Sequence, residues 1–197
     1  MAICGALDIL HNIQYPKLGP LELSPQDIYS GMIKDAKDEE KGCTVHDAIE
    51  KWVRPEGCVL ETSCRYTGNF NQVINNPEDR ARFEINLNND LNIKKENDKL
   101  NGKSLERPIV KAPVVAQMVW IEEMCDLKGN EIYSGPKDPE ASTPKYPKKL
   151  EYHAIIIVGY REEMIGKTRT KYWIIRNSHG EIRGMQESTV PRVMEDC

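Results

Sequence analysis

Apolar side chains recur every three or four positions between residues 3 and 14, at Ile3, Ala6, Leu7, Leu10 and Ile13. That spacing predicts a helix with one buried stripe. Pro16, Gly19 and Pro20 then break the chain, and LSPQDIYSGMI restarts a helix. Ser24 is its expected N-cap, Pro25 its first position, and Asp27 is placed to close a capping box. A third helix is predicted from Thr44, with Asp47 three residues on. Val45, Ala48, Ile49, Trp52 and Val53 form its inner face, and Pro55 is its expected stop. The mixed-charge run KDAKDEEK (34–41) reads as solvated surface.

From Asn69 to Arg107 the pattern weakens into a polar, asparagine-rich stretch, in which only residues 77–89 suggest a helix. After Pro108 the character changes. PVVAQMVWIE, EIYSG, HAIIIVGY and KYWIIR are β-type runs bounded by Gly, Pro and charged turns. Residues 136–149, rich in proline and lysine, read as a loop insertion. Helices first and strands later predict an α+β protein of two lobes, residues 1–108 helical and 109–197 β-rich. A site would then sit in the cleft between them.

Composition narrows the partners. A net charge of -4 over 197 residues provides no basic footprint for nucleic acid. No apolar run approaches the roughly 20 residues that span a bilayer. MAICGALDIL lacks a cationic leader region and is read as part of the fold. The six cysteines (4, 43, 58, 64, 125 and 197) include no CxxC and no zinc-type spacing, so no metal site is expected, and the nucleophilic chemistry read below needs no cofactor. The compartment stays open, and a monomer is expected.

Three residues stand where nucleophilic chemistry wants them. A thiol gains from a helix N-terminus and from a neighbouring imidazole. The imidazole in turn needs a group that fixes its tautomer, and a neutral amide can serve. Cys4 opens the first helix, His153 opens one strand-like run, and Asn177 closes the next.

HAIIIVGY followed by KYWIIRNSHG closely resembles the histidine and asparagine blocks of the papain-like cysteine peptidases. CGALDILHNIQ is similar to that family's nucleophile helix, LELSPQDI to the start of its next helix, and GCTVHDAI to its Gly-Cys-x-Gly-Gly block. EGCVLETSCRYTG resembles its Gly-Gly-Ile to Tyr-x-Gly segment, and GNEIYSGP the strand before the histidine. The resemblance implies a two-lobed fold with a barrel-like antiparallel sheet. It implies hydrolysis of peptide or protein substrates by Cys4, His153 and Asn177, with Ala154 lining the substrate pocket. It also implies extra length before His153 and a longer loop before Tyr172.

The chain departs from that pattern in several places. Gly5 replaces the aromatic residue after the thiol, and His179 replaces the tryptophan that shelters the histidine–asparagine contact. The Gly-Gly pair after Cys43 is missing, as are the usual disulfide partners of Cys43 and of the position near Gly31. The family's oxyanion-hole glutamine would fall before Met1. Losing one such donor costs roughly 10²- to 10³-fold in rate.

Alignment without gaps from Ser24 would put Met1 just after the nucleophile and Cys4 one turn along the helix. Three readings stand: a weakened peptidase, an inactive relative that binds a protein partner, and a fragment or mispredicted start whose full protein carries the upstream glutamine and a propeptide. Cys4 could equally be a small core residue. Ala154 could be no more than a small strand residue, His11 and His46 exposed helix residues, and His179 a bystander. The remaining cysteines read as packing or unassigned thiols.

Overall fold

The computed structural model describes residues 1–35, 37, 39, 42–69, 109–119, 124, 131–134, 152–177 and 192–194. The chain divides into two compact units, Met1–Ile93 and Lys94–Cys197. The helix suggested at 77–89, the insertion at 136–149, His179, Cys125, Cys197 and the expected boundary at 108 lie outside the described residues.

In the first unit, α1 (Ala2–Gln14) buries Ala2, Ile3, Cys4, Ala6, Leu7 and Leu10. The stripe ends a turn earlier than its spacing suggested, for Ile13 is 59% exposed. His11 is half-buried rather than exposed, with its ring 5.3 Å from that of Tyr15.

Helix α2 (Pro25–Met32) starts as expected, Ser24 accepting from the Asp27 N–H at 3.1 Å. The reciprocal half of the capping box is replaced by bonds to another segment. Ser24 N–H donates to the Val59 carbonyl at 2.9 Å, and Val59 N–H donates to the Asp27 carboxylate at 3.3 Å. A long-range pairing thus takes over what a local one would have done.

The third helix, α3, has three parts: Val45–Ala48, a π-helical turn Ile49–Val53, and Arg54–Glu56. Thr44 caps it by accepting from the Asp47 N–H at 3.0 Å. Pro55 does not stop it. Arg54 N–H reaches back to Ile49 O, five residues away, and this widened turn accommodates a proline that has no N–H to give. Gly57, at φ 77°, ends the helix instead. Ile3, Cys4, Leu7, Leu23, Ile28, Ala48, Ile49, Val53 and Cys58 form the core of this unit.

The second unit is built on one sheet: β1 (Val114–Val119), β2 (Ile132–Tyr133), β3 (Tyr152–Ile165), β4 (Thr168–Arg176) and β5 (Arg192–Met194). Each of the four β-type runs of the sequence contributes a strand segment to it. Its order is β1-β3-β4-β5-β2, antiparallel except for β2 beside β5. The expected barrel-like closure is not found among the described residues. Closure would need the end strands β1 and β2 to pair, and β2 contributes two residues, both matched to β5.

The expected loop before Tyr172 is instead the end of a long hairpin. Ile165 pairs with Thr168, leaving a two-residue turn at Gly166 and Lys167, with Gly166 at φ 63° as such turns require. The register slips by one residue between Ile157 and Gly159, so Val158 forms a bulge. Ile155, Ile157, Trp173 and Ile175 pack on one face with Ile109, Met124 and Tyr133.

Candidate active site

His153 is the second residue of β3 and shares a face with Ile155 and Ile157, because side chains alternate along a strand. Asn177 directly follows Arg176, the last residue of β4, and lies on the face of Trp173 and Ile175. With Ile157 opposite Ile175, continuing the register places Asn177 diagonal to His153. Diagonal neighbours lie roughly 7–8 Å apart at the backbone, within reach of long side chains.

The contact is made. His153 Nε2 and Asn177 Oδ1 are 2.7 Å apart, with both residues half-buried. An amide oxygen only accepts, so Nε2 carries the hydrogen and donates it. The other ring nitrogen, Nδ1, then presents a lone pair. This is an imidazole held in one tautomer and orientation, the arrangement a general base needs.

Ala154 follows His153 and faces the opposite side of the sheet, opposite Gln117 of β1. It is half-buried, and Gln117 is exposed.

Cys4 occupies the third position of α1 and is 2% exposed. It packs in the helical core with Leu7, Leu23, Ile28 and Ala48. Gly5 is the first residue of α1 to donate along the helix, to Met1 O at 3.0 Å, so Cys4 lies within the turn whose N–H groups precede the ladder. Its backbone position suits a helix-start nucleophile; its side chain is that of a core residue. Cys43 is an exposed thiol before α3. Local burial, then the charge of Asp47, pushes it above the usual thiol range.

Among the described residues no cluster of His, Cys, Asp or Glu could hold a metal ion, and no helix is long and apolar enough to cross a membrane. Sequence reasoning passed over Met118, which the β1–β3 register sets directly opposite His153. The alternation in VVAQMV could have assigned its face, but pairing partners are not written in a single strand.

A family model described as papain family cysteine protease matches residues 2–187. No curated protein is matched.

Proposed function

Since the chain belongs to the papain family of cysteine proteases, we propose that it hydrolyses peptide bonds in polypeptide substrates, with Cys4 as nucleophile, His153 as base and Asn177 as orienting group. The observation that carries this reading is the 2.7 Å contact between His153 Nε2 and Asn177 Oδ1. A base fixed before substrate arrives saves the cost of orienting it during reaction.

In this mechanism His153 Nδ1 takes the thiol proton of Cys4, and the sulfur attacks the carbonyl carbon of the scissile bond. The resulting oxyanion collapses, the C–N bond breaks, and the imidazolium returns its proton to the leaving nitrogen. Water, deprotonated by the same ring nitrogen, then attacks the thioester and releases the acid and the thiol. Ala154 borders the bound substrate.

The activity is weakened. Cys4 lies at 2% exposure among aliphatic side chains, and attack requires its release from that packing.

The same burial favours a second reading, in which the domain binds polypeptides without cleaving them. Labelling by an irreversible epoxide that targets papain-type thiolates, followed by mass spectrometry of the peptide holding Cys4, separates the two. Peptidase function requires labelling at Cys4 that is lost in His153→Ala. A folded protein that stays unlabelled at Cys4 would sink that reading and leave the binding one.

A further inference from the structure

The structure assigns Met118 the part of a positioning residue that packs against the open flank of the His153 imidazole and keeps water from its hydrogen bond to Asn177. The inference rests on the reading of His153 and Asn177 as the base pair of the site. Three observations lead to it.

Met118 and His153 are direct cross-strand partners in the β1–β3 ladder. Directly opposed residues share a face, with Cβ atoms roughly 4.5–5.5 Å apart. Asn177, by contrast, approaches His153 from the β4 side. The register therefore sets His153 between Asn177 on the β4 side and Met118 on the β1 side.

Met118 is also half-buried and packs on the cluster that contains Ile155, Trp173 and Ile175. Its side chain is thus anchored on the same face as the imidazole. An unbranched thioether adapts to irregular gaps and makes favourable contacts at aromatic ring edges.

Third, the His153–Asn177 bond is only half-buried. A neutral hydrogen bond open to water exchanges partners readily and contributes little net free energy. Excluding water strengthens it and holds the ring in the tautomer whose Nδ1 can accept a proton. Among the described residues, Met118 is the apolar side chain that the register sets directly across from the ring.

The test is ¹⁵N and ¹H NMR of the histidine ring in the full chain, reading the Nε2–H resonance, its exchange with water and the tautomer ratio. Wild-type protein should show a slowly exchanging Nε2–H from His153, absent in His153→Gln. In Met118→Ala that proton should exchange at least about tenfold faster, with both tautomers populated; a tenfold change is the smallest that separates shielding from scatter. Met118→Gln, of similar length but hydrated, should behave in the same direction, and Met118→Leu should restore slow exchange.

Backbone amide shifts along β3 and β4 report whether the sheet is intact, so a general loss of structure is distinguished from local exposure. Slow exchange and a single tautomer in folded Met118→Gln or Met118→Ala would overturn the inference while leaving the pair intact. Absence of the slowly exchanging proton from wild-type protein would overturn the pair itself, and the role of Met118 with it.

Discussion

Gly31 of α2 lies against the Trp52 indole of α3 so closely that a β-carbon at position 31 would overlap the ring. The two helices meet there without any side chain from α2 between them, and Lys34 Nζ lies 5.3 Å from the centre of the same ring.

Gly31→Ala therefore tests packing against propensity. In an open helix the change would be favourable by about 0.8–1.0 kcal/mol. Here the indole must shift, and overpacking costs about 1–3 kcal/mol. Because the overlap is with ring atoms and not a flexible tip, the cost falls in the upper half of that range, and the net expectation is a loss of about 1–2 kcal/mol, read as a lower midpoint in urea with an unchanged slope. An unchanged or raised midpoint would show that α2 and α3 separate freely.

The two helix caps should not be worth the same. Ser24 is fully buried, donates to the Cys64 carbonyl and accepts from the Asp27 N–H, so Ser24→Ala strands two buried groups. A loss of about 2–3 kcal/mol follows. Thr44 is half-exposed, and water can replace its bond to the Asp47 N–H, so Thr44→Ala should cost about 1 kcal/mol. Denaturation of the two variants side by side checks the order.

Tyr29 gives a pH signature. Its hydrogen bond to the Glu39 carboxylate, then burial, then the Glu39 charge push its pKa up from 10.0 to about 12. Folding thus favours the neutral phenol. The associated stability is whole below pH 10 and is lost as pH rises through about 12. In a tyrosinate absorbance titration, the component missing from Tyr29→Phe should move back toward 10 in Glu39→Gln.

Asn177→Ala removes the acceptor that orients the imidazole. The rate of epoxide labelling at Cys4, measured under the conditions that label wild-type protein, should fall on the order of 10²-fold, the cost of a misplaced catalytic group. An unchanged rate would mean that His153 needs no help from Asn177.

Much of this was legible in the sequence because it is local. Ser24, Thr44 and the apolar stripe of α1 act within a few residues, and each predicts its element. The pairing of His153 with Asn177 could be anticipated only through the wording of two whole strands. What escaped the sequence depends on distant partners. Asp27 was expected to turn back on Ser24, but Val59 takes its carboxylate. Pro55 was expected to stop α3, yet a wider turn absorbs it. Cys4 looks like an accessible helix-start thiol until Leu23, Ile28 and Ala48 arrive from other elements to cover it.

The bulge at Val158 works as a phase shifter. Before it, the odd-numbered Ile155 and Ile157 pack on the core; after it, the even-numbered Tyr160 does, its ring edge-on to Trp173 at 5.8 Å. One strand thus serves two alternations of opposite parity. Were Val158 paired in regular alternation instead of bulged out, a β3 pinned by the Tyr160–Trp173 end of the hairpin would carry its first half one step out of phase. His153 would then face away from Asn177, and Ala154 would take its place beside the amide. The bulging of a single residue, far from any chemistry of its own, decides which side of the sheet carries the imidazole.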